Sequence, residues 1–221
     1  RPEKFSILLY GFERKHDEGE GWWIDKSFKR LSVSPAMLKT CPNELVLKTN
    51  YSSKDNLEAL YFTGEFGVFW TKTASSRIIH VITELPNELK LGDWCEQGFP
   101  CYTGSITYSM DFEIEKISKN VFIKIPEWQG SLLKVYVNGK KAGILAWQPY
   151  EVNIGDFVQT GKNKLAIEVV GTRRNLLGPL HLTTKYPAWT GPWDFKKYEL
   201  WTDEYVRLPY GLTGSPAISV V

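Results

Sequence analysis

Residues 132–143 read LLKVYVNGKKAG, and PYEVNI at 149–154 and GKNKLAIEV at 161–169 follow them. In the first and third of these segments every second residue is apolar, which is the pattern of a strand that buries one face. Between them the pair Asn138-Gly139 tolerates positive φ, so a tight hairpin turn is predicted after the first strand. The region therefore predicts three antiparallel strands in succession.

The overall composition limits the class of protein. The chain has 221 residues with 27 Lys and Arg against 25 Asp and Glu, a formal net charge of +2. This length fits one or two domains. The mixed charges, without a basic run or one-sided basic helix, give no reason to expect nucleic acid or an anionic membrane as a partner. No segment approaches the ~20 consecutive apolar residues of a membrane span.

These strands and turns resemble the jelly-roll sugar-binding domain of glycoside hydrolase family 2 and the wider galactose-binding-like sandwiches. Two upstream segments, GSITYSMDF at 104–112 and VFIKIP at 121–126, resemble the opening strands of that fold. The resemblance covers residues from about 100 to 175 closely. It implies an all-β chain built as a galactose-binding-like jelly-roll β-sandwich.

The first part of the chain contains an echo of the second. The segment NELVL at 43–47 repeats the form of NKLAI at 163–167, and similarity at a fixed offset indicates repeated units. We therefore expect two tandem or interleaved sandwiches, residues 1–90 and residues 91–221. Chance agreement between two all-β segments is the alternative. In the first case the opening strands of the first sandwich lie before Arg1 or elsewhere in the chain, and the start RPEKF suggests a piece of a longer protein.

Three further segments resemble β-sandwich regions that lie beside catalytic domains in rhamnosidase-type glycoside hydrolases. They read LEALYFTGEFGVF at 57–69, GDWCEQGFPCYTG at 92–104 and RNLLGPLH at 174–181. The first is also predicted to be strand-rich, with an interruption at Gly64. These segments place the expected function near glycoside hydrolysis.

The cysteines and acidic residues give little indication of a cofactor. Cys41, Cys95 and Cys101 cannot all pair with one another, so either Cys95 and Cys101 form a bridge or the thiols are reduced and buried. No spacing of Cys and His indicates zinc. A structural calcium is compatible with the resemblance, because calcium binds 6–8 oxygen ligands. The side chains that could contribute to it are Asp93, Asp111, Glu113 and Asn163.

No catalytic residue is predicted in this chain. The acids of family 2 glycosidases come from a barrel domain, and a TIM barrel alone takes ~250 residues. No Gly-x-Ser-x-Gly elbow occurs, and His16, His80 and His181 lack motif partners. We expect His80, in an apolar strand, to be a core histidine. His181 has either a binding role or a loop-ordering role.

Binding of carbohydrate is better supported than catalysis. Aromatic residues make up 14% of the chain, with nine Trp, and the C–H faces of sugars stack on exposed aromatic rings. The residues that we expect to contact carbohydrate are Trp128, Trp147, Arg174, Asn175, Trp189 and Trp193. Alternatively, Trp147 packs on its own sandwich, and Trp189 and Trp193 cover a sheet edge or contact a catalytic domain.

The sequence thus predicts a non-catalytic carbohydrate-recognition or scaffold region of a bacterial glycoside hydrolase. Its expected partners are carbohydrate and the catalytic domain of the same longer polypeptide. An autonomous carbohydrate-binding module or lectin is the second hypothesis. A small self-sufficient glycosidase is the third, and it requires two carboxyl groups ~5–9.5 Å apart in a cleft.

Overall fold

A computed structural model describes residues 5–14, 21–40, 42–52, 59–72, 78–185 and 198–221 of the chain. These residues form antiparallel strands joined by loops and short helical turns. The all-β prediction is confirmed. The chain divides into two compact units, Arg1–Phe62 and Thr63–Val221. Among the described residues, no helix is long and apolar enough to cross a membrane.

The first unit contains two small sheets. Its strands are β1 (Phe5–Leu9), β2 (Phe12–Arg14), β3 (Trp22–Trp23), β4 (Asp25–Lys29) and β5 (Leu45–Thr49), with a 3₁₀ turn at Pro35–Met37. One sheet has the order β2-β1-β5, and β3 pairs with β4. Trp23, Phe28 and Tyr61 pack their rings together, with centroids 5.5–6.4 Å apart.

The second unit contains most of the strands. They are β6 (Gly67–Lys72), β7 (Ile78–Thr83), β8 (Ser105–Ile114), β9 (Val121–Lys124), β10 (Trp128–Gln129), β11 (Leu132–Val137), β12 (Lys140–Leu145), β13 (Glu151–Asn153), β14 (Gly161–Val170), β15 (Gly211–Leu212) and β16 (Ala217–Val220). A short helix, α1 (Arg174–Leu177), follows β14. Two 3₁₀ turns occur at Trp94–Gln97 and Tyr198–Leu200.

A four-stranded sheet and a three-stranded sheet share the core of the second unit. Their orders are β12-β11-β14-β8 and β13-β9-β16, and all of their pairings are antiparallel. Val135 and Ile167 of the first sheet and Ile123 of the second are fully buried in one apolar cluster. Burying each such side chain stabilises the fold by ~1.5–3 kcal/mol. This is the sandwich that the alternating segments predict.

The predicted hairpin joins β11 to β12, and an amide network holds its turn. Asn138 and Gly139 have φ of 50° and 79°. The Asn138 Nδ2 donates to Phe157 O and to Asn163 Oδ1, both at 2.9 Å, and its Oδ1 accepts from Lys164 N at 2.9 Å. The turn is therefore tied to the start of β14 by side-chain hydrogen bonds.

The hairpin of β6 and β7 groups with the second unit, although the sequence analysis assigned it to the domain 1–90. Val68 N donates to Gly98 O at 2.8 Å, which attaches β6 to the segment leading into the sandwich. The strand predicted over 57–69 begins only at Gly67. The two predicted domains, 1–90 and 91–221, stay a prediction.

Candidate functional site

Asn175 lies inside the second unit and joins two of its segments. Its Nδ2 donates to Leu208 O at 2.8 Å, and its Oδ1 accepts from Leu208 N at 2.8 Å. Nδ2 also lies 3.3 Å from Cys95 Sγ. The side chain is fully buried. Its amide therefore holds the segment around Leu208 in place, and it is not open to a sugar in this conformation.

Arg174 begins α1 and is part-buried. Both its Nη1 and its Nη2 are buried and find no hydrogen-bond partner among the described residues. Burial lowers the pKa of this guanidinium. The structure thus brings Arg174 and Asn175 to the same turn but gives the two side chains different surroundings.

The predicted tryptophans lie in different environments. Trp128 is part-buried against the core, edge-on to Tyr150 with ring centroids 5.1 Å apart. Trp147, in the loop between β12 and β13, is 83% exposed, so it does not pack on its own sandwich. Trp189 and Trp193 lie outside the described residues, and their binding role stays a prediction.

A second group of rings, which the sequence analysis did not assemble, lies on the second unit. We call it the aromatic face. It consists of Trp70, His80, His181, Trp201 and Tyr205.

Backbone pairing brings the members of the aromatic face together. Trp70 and His80 are directly opposite each other in the β6–β7 hairpin. Thr202 N donates to His181 O at 3.0 Å, so the segment 201–205 runs beside His181. Three stretches that are distant in sequence thus contribute to one surface.

The rings follow one another at short distances. Trp201 and His181 stack with centroids 4.7 Å apart and an interplanar angle of 18°. His181 contacts Tyr205 at 4.9 Å, and Tyr205 contacts His80 at 5.1 Å. Since His181 Nδ1 lies 3.0 Å from the Thr202 carbonyl oxygen, this nitrogen donates and fixes the orientation of the imidazole.

His80 is exposed on β7, so the expectation that it is a core histidine was wrong. The apolar run 78–82 forms a strand of a two-stranded sheet, and much of this hairpin faces solvent. Burial, and then the charge of Arg207, lowers the pKa of His80. Arg207 itself lies over Trp70, with its guanidinium carbon 3.2 Å from the ring centroid. The aromatic face therefore has a cation at its Trp70 end.

The residues around Cys95 are structural. Asp93 Oδ1 accepts from Cys95 N at 2.9 Å and from Tyr210 N at 3.0 Å, which caps the 3₁₀ turn at Trp94–Gln97. Cys95 and Cys101 are both free, so no bridge joins them. Burial raises the pKa of the Cys95 thiol far above its usual value. The thiol stays protonated and is not a nucleophile.

Nothing in the described part of the chain forms a metal centre from three or more His, Cys, Asp or Glu side chains. Asn163, a candidate calcium ligand, uses its amide in the turn before β14. Its Nδ2 donates to Gln159 O at 2.7 Å and to Gly161 O at 2.9 Å. Its Oδ1 accepts from Asn138 Nδ2 and from Gln159 N. This side chain therefore stabilises the turn.

A cavity of about 450 Å³ runs along β8. Residues 86–89, Leu91, Phe99 and residues 106–110 line it. Side chains of a strand point alternately to its two faces, yet five consecutive residues, 106–110, line this cavity. The cavity therefore lies along the outer edge of β8. Glu88 is the one acidic residue in this lining. The cavity therefore does not supply the carboxyl pair that a glycosidase requires.

The aromatic face has no motif by which the sequence could have revealed it. The only signal was the cluster of aromatic residues in WTDEY at 201–205, and nothing linked it to Trp70 and His80. For His181 the sequence left a binding role and a loop-ordering role open, and both stay predictions.

No family model and no curated protein matches this sequence. Solved structures that are similar in part include a rhamnosidase from Novosphingobium sp. PP1Y, with a TM-score of 0.40 and 22% identity over 79% of this chain and 17% of that one. A beta-D-mannosidase from Dictyoglomus thermophilum gives 0.37 and 16%, over 74% and 23%. A Bifidobacterium dentium beta-glucuronidase complexed with coumarin-3-O-glucuronide gives 0.36 and 14%, over 56% and 22%. The chain spans about a fifth of the length of these structures.

Proposed function

We propose that this chain is a non-catalytic carbohydrate-recognition region of a glycoside hydrolase, and that a sugar stacks on Trp201 of the aromatic face. The observation that carries this proposal is the setting of the Trp201 ring. One side of the ring stacks on His181, and Nε1 donates to Asp203 Oδ1 at 3.1 Å. The residue is nevertheless 47% exposed.

This setting suits sugar binding for a physical reason. A ring that is already fixed loses little conformational freedom when a ligand stacks on it. Its exposed side offers a flat apolar surface to the C–H face of a sugar. The carboxylate of Asp203 and the imidazole of His80, which is also exposed, can hydrogen-bond with sugar hydroxyls.

The motif resemblance supports the proposal that this binding surface belongs to a hydrolase. The strands of the sandwich occur where the resemblance to the family 2 sugar-binding domain implies them, at β8, β9, β11 and β14. The aromatic face includes His181, the last residue of the segment 174–181 that resembles rhamnosidase-type hydrolases. Fold and motif support the proposal but do not define the sugar.

The test is a screen of purified chain against an array of neutral and acidic oligosaccharides, followed by titration of the hits with tryptophan fluorescence. We expect Trp201→Ala to weaken binding by roughly tenfold or more, because aromatic truncation removes the stacking surface. Trp22→Ala is the matched control and should leave the affinity unchanged, since Trp22 is also exposed, at 50%, but lies in the first unit. Equal affinities for wild type and Trp201→Ala would refute the assignment of the site.

A scaffold role is the second candidate, because the β6–β7 hairpin exposes apolar side chains. Phe69, Ile79, Val81 and Ile82 are 40–56% exposed. An apolar surface of this kind suits a contact with another domain, and we propose the catalytic domain of the same longer polypeptide. Hydrogen exchange of residues 78–83 tests this idea. We expect slower exchange in the native full-length polypeptide than in the isolated chain, and equal rates would exclude the contact.

A further inference from the structure

Arg207 has hydrogen-bonding capacity that the described residues do not use. Its Nη1 is buried and has no hydrogen-bond partner. Among the described side chains, the ion pair is Lys134–Glu168, and none involves Arg207. A buried donor without an acceptor is unfavourable, and more so when it carries charge. Within the described part of the chain, this one nitrogen of the guanidinium therefore lacks an oxygen acceptor.

The acids near Arg207 are engaged elsewhere or too distant to pair with it. Burial is the main cause of the lowered pKa of Arg207, and the charges of Glu96 and Asp93 oppose this shift. Asp93 already accepts two backbone hydrogen bonds through Oδ1, from Cys95 and Tyr210. Hence neither carboxylate neutralises the guanidinium by direct contact.

The fold holds Arg207 in this position from two sides. Asn175 forms two hydrogen bonds of 2.8 Å with the backbone of the next residue, Leu208. The Trp70 ring lies beneath the guanidinium at 3.2 Å. A cation fixed over a ring is a preorganised receptor, because its orientation is set before a ligand arrives.

The surroundings of Arg207 suit an anionic sugar. His80 is directly opposite Trp70 in the hairpin, and Tyr205, two residues before Arg207, contacts the His80 ring at 5.1 Å. Tyr205 is 41% exposed. Arg207 is only part-buried, so part of its side chain is accessible beside these rings. Cation, imidazole and exposed rings are thus neighbours on one surface.

We infer that the aromatic face binds a sugar residue bearing an oxyanion, with Arg207 pairing the oxyanion and the rings contacting the sugar. The planar guanidinium matches the two oxygens of a carboxylate or sulfate. The ligand class is therefore an acidic glycan, containing either a uronic acid or a sulfate ester. This inference rests on the proposed function, because it specifies the ligand of the same surface.

The test compares three tetrasaccharides that share one backbone. They are β-1,4-linked tetraglucuronate, the same tetramer after reduction of its carboxyl groups to glucose, and the sulfated glucose tetramer. Calorimetric titration at low salt is expected to give affinities roughly tenfold higher for at least one acidic tetramer than for the neutral one. The tighter of the two acidic ligands identifies the source of the oxyanion. The preference is expected to decrease with added NaCl.

The variants separate the contribution of Arg207 from that of the rings. Arg207→Gln is expected to abolish the preference for the acidic tetramer, whereas Trp201→Ala weakens all three ligands by similar factors. Arg173→Gln, at an exposed arginine close to α1, is the matched control and should change nothing. Arg207→Lys keeps a cation near Trp70 but removes the planar guanidinium, so it tests the role of the guanidinium even if Arg207→Gln fails to fold. We expect it to lose part of the preference.

Each outcome bears on one of the two statements. Equal binding of acidic and neutral tetramers by the wild type, or an unchanged preference in both Arg207 variants, overturns the inference and leaves sugar stacking intact. No binding of any tetramer, together with no hit on the glycan array, overturns the proposed function and the inference with it. If the Arg207 variants bind the acidic tetramers more weakly but bind the neutral tetramer as the wild type does, both statements are supported.

Discussion

The central sheet of the sandwich and the aromatic face belong to the same unit, but the sheet buries its apolar side chains whereas the aromatic face exposes several of its rings. In β11 and β14 the inward residues Leu133, Val135 and Ile167 have no exposed surface. On the aromatic face Trp201 and Tyr205 are 47% and 41% exposed, and Nη1 of Arg207 has no acceptor in the part of the chain that the structure describes. The contrast indicates that the sheet supplies the free energy of folding, whereas the face is available for a ligand.

The largest expected effect of a substitution therefore lies in the sheet. Ile167→Ala should destabilise the second unit by ~2–5 kcal/mol, because it removes buried methylene groups and leaves a cavity. Ile144→Ala, on the neighbouring strand β12 where the side chain is 53% exposed, should change stability by less than ~1 kcal/mol. Urea denaturation of both variants measures the difference. Similar losses in the two variants would contradict the assignment of the core.

The next largest effect is expected at the turn before β14, which the amide of Asn163 stabilises through hydrogen bonds. Asn163→Ala removes the amide that donates to Gln159 and Gly161 and accepts from Asn138. The buried groups left without partners should lower the free energy of unfolding by ~1–3 kcal/mol. Asn120→Ala, at an exposed asparagine, is the control and should be near neutral. The same urea denaturation distinguishes them, and a neutral Asn163→Ala would show that the network contributes nothing.

Truncation on the aromatic face should separate binding from stability. Trp201→Ala removes an exposed ring whose contacts are a stack on His181 and a hydrogen bond to Asp203, so we expect a loss of only ~0.5–1.5 kcal/mol. The variant should therefore stay folded, whereas its affinity for the sugar should decrease by roughly tenfold or more. The measurement is a pair of titrations, one with urea and one with glycan. A stability loss as large as that of Ile167→Ala would make the face part of the core.

The same contrast explains what the sequence could predict. Alternation and the Asn138-Gly139 turn are local signals, and they predicted β11, β14 and the hairpin turn that follows β11, because burial of one strand face imposes a period of two. The run 57–69 was predicted to be strand-rich, but within its described residues a strand begins only at Gly67.

The candidate site was predictable only in part. Asn175 was predicted to contact carbohydrate, but it is buried, and its hydrogen bonds to Leu208 depend on a segment 33 residues later. The aromatic face depends on pairing between Trp70 and His80 and on the return of the chain to Tyr205. These are non-local contacts, and no spacing in the sequence encodes them.

The smallest expected effect is the contribution of His80 to the pH dependence of stability. It tests whether the imidazole is less solvated in the folded protein than in the unfolded chain. Burial and the charge of Arg207 lower the pKa of His80 below its usual value near 6.5. Between the lowered pKa and 6.5 the unfolded chain binds more protons at this site than the folded chain. Stability therefore rises with pH through this window, is fully present above it, and is lost as pH falls through the folded pKa.

Between pH 8 and pH 5 the urea midpoint should decrease more for the wild type than for His80→Gln, because the variant has no imidazole to titrate at this position. The other two histidines are common to both proteins and cancel in the comparison. An identical pH dependence would mean that the imidazole is solvated as in the unfolded chain, and Arg207 would then not act on it.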